Sequence, residues 1–167
     1  MFIQLEALLG GAIERIPLDY EFDFSAEEFG GVFPFTTPVI LKGEIRNTAG
    51  IVTIEAKAQF SMEVTCDRCA EDIRPEFTVD IEHGLVASLN HEDNDDYILV
   101  EDMKLDVEQL TLEDIYLALP GKFLCKEDCK GLCCRCGKNL NEGPCGCVTK
   151  EVDPRLAVLQ KFLDNKK

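Results

Sequence analysis

The residues best suited to chemistry are nine cysteines, seven of which crowd into residues 125 to 147, CKEDCKGLCCRCGKNLNEGPCGC. Their spacings are C-x2-C at Cys66 and Cys69, C-x3-C at Cys125 and Cys129, C-x2-C at Cys133 and Cys136, and C-x-C at Cys145 and Cys147. These pairs use eight thiols and leave out Cys134. A C-x2-C turn lets two thiolates reach one ion, and Gly137 after Cys136 relieves the crowding such a turn creates. Two zinc sites follow, each with four sulfurs at about 2.3 Å from the metal. Cys133, Cys136, Cys145 and Cys147 are expected around one ion because they are local. Cys66, Cys69, Cys125 and Cys129 then hold the second, closing a loop of 55 intervening residues and pinning the tail to the preceding domain. Sites made of four thiolates keep no open position for water or substrate, so both read as structural and not catalytic.

Competing chemistry fits less well. Cys129, Cys133 and Cys136 also spell C-x3-C-x2-C, an iron–sulfur spacing of radical enzymes that use S-adenosylmethionine. Those enzymes place it early in a much larger barrel, whereas here it lies late in a short chain, and the match reads as coincidence. Structural disulfides are disfavoured in the reducing cytoplasm expected below. Cys134 reads as an inert small side chain, since an adjacent metal thiolate opposes its ionisation. His83 falls on an apolar strand register and reads as a satisfied core or edge residue, and His91 receives no role.

The elements that must position these thiols are legible in the hydrophobic pattern. Val52, Ile54, Ala56, Ala58, Phe60, Met62, Val64 and Cys66 alternate with polar residues, and Ile73, Pro75, Phe77, Val79, Ile81, His83 and Leu85 resume the register after C-D-R-C. Residues 52 to 86 therefore read as two long antiparallel strands with a cysteine pair at their joined end. Val39 to Ile45, Phe2 to Leu8 and Ile13 to Phe22 supply further strands. From Val107 to Leu119 the period becomes helical, with Leu112, Ile115, Tyr116 and Leu119 on one face, Thr111 and Asp114 as a candidate capping box, and Pro120 as the stop. This helix is expected to pack on the sheet. A second helix is expected from Asp153, with Pro154 at its first position and Leu156, Leu159, Phe162 and Leu163 on one face. Residues 91 to 96, HEDNDD, read as a solvated loop without the ligand spacing of a calcium site. The expected fold class is α+β: an antiparallel sheet domain with a long hairpin and one or two packed helices, residues 1–119, then a cysteine-rich zinc-knuckle segment with a helix, residues 120–167.

Charge follows the same division. The net charge is -15, yet residues 1–119 carry 7 basic and 26 acidic side chains, a net of -19, while residues 120–167 carry 10 and 6, a net of +4. The acidic part should repel bare RNA and attract basic proteins. Lys122, Lys126, Lys130, Arg135 and Lys138 give the cysteine region a modest surface for phosphate. The opening MFIQLEALLG lacks a basic leader and reads as a poor secretory signal, and no stretch approaches the roughly 18 apolar residues of a membrane span. A cytoplasmic location and no small-molecule substrate are expected.

Taken together, T-C-D-R-C, L-A-L-P, C-K-E-D-C-K-G-L-C, C-G-K-N-L-N, C-G-C and D-P-R-L-A-V-L resemble the bacterial YceD family, the large-subunit ribosomal RNA accumulation proteins. The resemblance runs from about residue 40 to the end. Cys134 stands where that family usually has proline, which supports leaving it out of the ligand set. Some relatives keep the hairpin pair but lack much of the later cluster. The resemblance implies a cytoplasmic, non-enzymatic role in producing or maturing 23S rRNA, and the charge division then makes a ribosomal protein or assembly factor the expected partner and rRNA a second candidate. A metalloenzyme, iron–sulfur or zinc, and a structural adaptor unrelated to ribosomes are the alternatives.

Overall fold

The structure is a computed structural model describing residues 1–87 and 97–147. The acidic stretch 91–96 with His91, and the helix expected from Asp153, lie outside the described residues. The chain divides into two compact units, one of residues 1–64 with 72–123, the other of residues 65–71 with the segment from Leu124 onward.

The strands are β1 (Phe2–Gln4), β2 (Arg15–Phe22), β3 (Val39–Thr48), β4 (Ile51–Ser61), β5 (Val64–Thr65), β6 (Asp72–Ile73), β7 (Glu76–Val86), β8 (Tyr97–Leu99) and β9 (Lys104–Asp106). The helices are α1 (Glu6–Leu9) and α2 (Val107–Ala118). Five strands form the main sheet in the order β2-β3-β4-β7-β8, antiparallel except for the last pair, while β1 pairs with β9 and β5 with β6. The architecture is α+β, dominated by antiparallel pairing, with a cysteine-rich segment after it.

The alternation read from the sequence sets the register of the central pair. Val52, Ile54, Ala56, Ala58, Phe60 and Met62 are all buried, and opposite them Val79, Ile81 and Leu85 face the same core. One cross-strand row runs Leu18, Gly43, Ala56, Ile81. A Cβ at Gly43 would lie 2.2 Å from the Glu55 carbonyl oxygen, so this close strand approach needs a residue without a side chain. The outer face carries a charged row, Asp19, Lys42, Lys57 and Asp80, with Lys57 Nζ 2.6 Å from Asp80.

Helix α2 covers the apolar face, burying Val107, Leu110, Leu112 and Ile115 in the same core. His83 of β7 meets Asp114 of α2 at 2.8 Å, so the histidine on the apolar register is satisfied by a carboxylate. The helix starts one turn earlier than a cap at Thr111 would place it. Asp106 is the N-cap, accepting from the Gln109 N–H, and the Thr111 hydroxyl instead donates to the Val107 carbonyl. Val107 and Leu110 extend the apolar stripe N-terminally, which removes the reason to stop at Thr111.

Near the amino terminus the structure departs from the single strand expected over Phe2 to Leu8. Pairing with β9 ends at Gln4, and Glu6–Leu9 turns helical so that Leu5 and Leu8 are both fully buried, a spacing of three that a strand would split between its faces. The same unit contains a file of touching rings, Tyr20, Phe22, Phe24, Phe35, Phe60, Phe77, Phe123, Phe29 and Tyr116, with centroids 5.4–6.3 Å apart. It ties the paired strands β4 and β7 to Phe123. Among the described residues no helix is long and apolar enough to cross a membrane.

Candidate metal centres

Among its described residues the second unit has almost no oily interior. Its small buried cluster consists of Cys66, Cys69 and Cys129 with Leu124 and Cys125 against them. Backbone hydrogen bonds shape it instead. The Cys66 N–H donates to the Glu71 carbonyl and the Ala70 N–H to the Cys66 carbonyl, closing the turn that carries Cys66 and Cys69. The Gly137 N–H donates to the Cys133 carbonyl and the Cys133 N–H to the Lys138 carbonyl, closing the Cys133–Cys136 turn. Gly137 sits at φ +72°, the left-handed conformation expected after that knuckle.

These turns gather eight sulfurs into two groups, Cys66, Cys69, Cys125 and Cys129 in one and Cys133, Cys136, Cys145 and Cys147 in the other, every sulfur within 4.8 Å of the rest of its group. This is the division the spacings suggest. Within the first group Cys66 Sγ lies 3.8 Å from Cys129 Sγ, and Cys69 Sγ 3.6 Å from Cys125 Sγ. Those separations exceed a disulfide of about 2.05 Å, and they match the edge of about 3.8 Å in a tetrahedron with metal–sulfur bonds of roughly 2.3 Å. The donor set fits a four-thiolate metal ion in each group. Cys134 is exposed and belongs to neither.

Electrostatics point the same way. Burial pushes the Cys66 thiol up, but backbone hydrogen bonds from Cys125, Cys69 and Arg68 outweigh it and bring the group down to about 6. Backbone hydrogen bonds from Cys136 and Arg135 bring Cys133 down to about 6 as well. Burial and neighbouring sulfurs push Cys125 up to about 12, and the sulfurs of Cys136 and Cys145 do the same to Cys147. In each group at least one thiol ionises readily, and the sulfurs then oppose ionisation of another. A divalent cation held among the sulfurs would remove that conflict by stabilising all four thiolates.

Three residues that hold the first group are not ligands, and sequence reasoning missed their roles. Arg68, inside C-D-R-C, donates through Nη1 to the Cys129 carbonyl at 2.8 Å and accepts the Leu132 N–H on its own carbonyl at 3.0 Å. Gly131, at φ +73°, lies so close to that carbonyl that a Cβ there would approach it to 2.8 Å. Asn141 places Nδ2 3.3 Å from Cys129 Sγ, and this contact is the largest influence lowering the Cys129 thiol. The only trace of these roles in the sequence is that Arg68, Gly131 and Asn141 lie within the short motifs that carry the family resemblance.

The fold and the paired quartets define a small α+β protein with a cysteine module built like a metal-binding knuckle pair. Residues 54–163 match the YceD family, described as large ribosomal RNA subunit accumulation protein, and the chain belongs to that family. It is 28% identical over 131 residues to the uncharacterized protein YlbN of Bacillus subtilis, covering 76% of this chain and 75% of that one. It is also 31% identical over 102 residues to an uncharacterized protein of Mycobacterium tuberculosis and to one of Mycobacterium bovis, covering 59% of this chain. The matched part spans 49% of those mycobacterial proteins, about half their length. No solved structure matches the chain.

Proposed function

We propose that this protein is a zinc-stabilised, non-enzymatic factor in the accumulation of large-subunit ribosomal RNA, acting in the cytoplasm by binding a ribosomal protein or assembly factor, with rRNA as a second candidate partner. The observation that carries the reading is the pair of sulfur quartets, with spacings suited to four-thiolate ions, in a chain of this family. Zinc is the natural occupant, since it takes tetrahedral thiolate sites without redox chemistry. A metal held by four sulfurs has no free position at which to bind substrate, so the ions organise a surface and perform no reaction. The ligands are Cys66, Cys69, Cys125 and Cys129 for one ion, and Cys133, Cys136, Cys145 and Cys147 for the other.

The surface divides by charge. The net of -19 over residues 1–119 suits a basic partner of the kind ribosomal proteins are. Lys126, Lys130, Arg135 and Lys138 are exposed around the cysteines and supply the phosphate-facing alternative. Metal analysis of protein purified under reducing conditions should find two zinc ions per chain, still two in Cys134→Ser, and one fewer in Cys66→Ser or Cys145→Ser. Affinity capture from cells should enrich ribosomal proteins or assembly factors with the wild type. A chain free of zinc when reduced and folded, or capture that enriches neither class, overturns the proposal. An iron–sulfur charge-transfer band near 400 nm in anaerobically purified protein would favour the metalloenzyme instead.

A further inference from the structure

The two quartets are not separate knuckles. Asn141 lies between Cys136 and Cys145, on a loop closed at both ends by one quartet, yet its side chain reaches Cys129 of the other. Its amide orientation is fixed by its partners. The Lys130 N–H can only donate, and it points at Asn141 Oδ1 at 2.9 Å, so the NH2 group must face the Cys129 sulfur. The backbone that carries Asn141 is held in turn. Its N–H donates to Asn139 Oδ1 at 3.0 Å, the Leu140 N–H to the Gly131 carbonyl at 2.8 Å, and Leu132 bridges Asn139.

We propose that the two quartets bind their metal ions cooperatively, and that Asn141 is the positioning residue linking them, because the loop closed by one ion delivers a hydrogen-bond donor to a thiolate of the other. This rests on the reading of both quartets as metal sites. Residues 137–144 read G-K-N-L-N-E-G-P, with Leu140 the single large apolar side chain, so apart from these few hydrogen bonds the loop depends on closure by Cys136 and Cys145. An empty Cys133, Cys136, Cys145 and Cys147 quartet lets the loop open and withdraws the donor from Cys129. A metal-bound thiolate carries excess negative charge that an N–H donor offsets, and removing such a partner typically lowers metal affinity about 10–100-fold. Linkage makes the effect mutual: an ion at either quartet raises affinity at the other by the same factor.

The test uses the full-length reduced chain, with zinc affinity measured against a chromophoric chelator and cobalt(II) as the optical probe. Asn141→Asp keeps an oxygen for the Lys130 N–H but turns a second oxygen, not a donor, toward the sulfur. It should weaken the Cys66, Cys69, Cys125 and Cys129 quartet about 10–100-fold and move its cobalt–thiolate charge-transfer band to lower energy. Asn141→Ser, whose hydroxyl is too short to reach the sulfur, should show the same loss of affinity and the same band shift as Asn141→Asp. Cys145→Ser with Cys147→Ser should weaken the same quartet to a similar extent, and adding Asn141→Asp to that pair should weaken it little further, because both changes remove one hydrogen bond. Two ions bound in the wild type, with affinity and band unchanged in Asn141→Asp or in the Cys145→Ser, Cys147→Ser chain, overturns the coupling alone. A wild type that binds no metal overturns the coupling and the metal reading together.

Discussion

Replacing Gly131 by alanine asks whether the Cys66–Cys69 turn is held against the segment that carries Cys129 and Cys133. Two penalties arise. Gly131 has φ +73°, where a side chain costs about 1–2 kcal/mol. The new Cβ would also meet the Arg68 carbonyl oxygen at 2.8 Å, a backbone atom that cannot swing aside. Relief requires lengthening the hydrogen bond from Leu132 N–H to that carbonyl, now 3.0 Å, at a further cost of about 0.5–1.5 kcal/mol. Gly137→Ala is the matched control: its φ of +72° carries the same backbone penalty, but its Cβ would meet nothing within 4 Å. On the proposed reading the unit folds with its metal, so strain in the folded form is read as lost affinity. Gly131→Ala should therefore lose roughly 2–10-fold more total zinc affinity than Gly137→Ala, at about 1.4 kcal/mol per tenfold. Competition against a chelator of known affinity measures both. Equal losses in the two variants would refute the argument, because they would mean that the Arg68 carbonyl does not stand where alanine must go.

Three further outcomes are expected. Chelation under reducing conditions should abolish hydrogen-exchange protection of the Leu132, Cys133, Gly137 and Leu140 amides while those of β4 and β7 stay protected, and loss of protection in both would show that the sheet unit also depends on metal. Zinc retention should fall more steeply below about pH 6 than above it. There Cys66 and Cys133 begin to bind protons, so each site must displace one more proton per ion, and a zinc-indicator titration with constant slope from pH 7.5 to 5 would contradict this. Phe35, 1% exposed and in ring contact with Phe24 and Phe60, should cost about 3–5 kcal/mol of sheet-unit stability as Phe35→Ala, seen as a lower urea midpoint without a change in zinc content.

What the sequence made legible follows from which forces act locally. Alternation over Val52 to Met62 and over Phe77 to Leu85 is a local pattern, and the β4–β7 pair lies where it implies. Cysteine pairs within four residues of each other announce shared turns, and the structure places the eight sulfurs in the two groups their spacing suggests. Partnerships formed far along the chain left weaker traces. The pairing of β1 with β9 and the parallel addition of β8 depend on residues about 100 and 13 positions away, respectively, and no period reveals them. Asp106 is hidden as the helix cap because Thr111 and Asp114 have the spacing of a capping box, whereas Asp114 is engaged by His83. Arg68 and Asn141 were invisible as supports because they act through one carbonyl and one sulfur that only folding brings near.

The cysteine unit is assembled from a short insertion and a distant tail, residues 65–71 and the chain from Leu124, and this gives it a calendar during synthesis. Cys129 is added 60 residues after Cys69, which at roughly 5–20 residues per second leaves the first two thiols waiting about 3–12 s for their partners. For that interval the nascent chain displays an unpaired dithiol turn, open to oxidants and to stray metal. On the proposed reading, the quality of the finished protein therefore depends on the redox state and zinc supply around the ribosome that is making it.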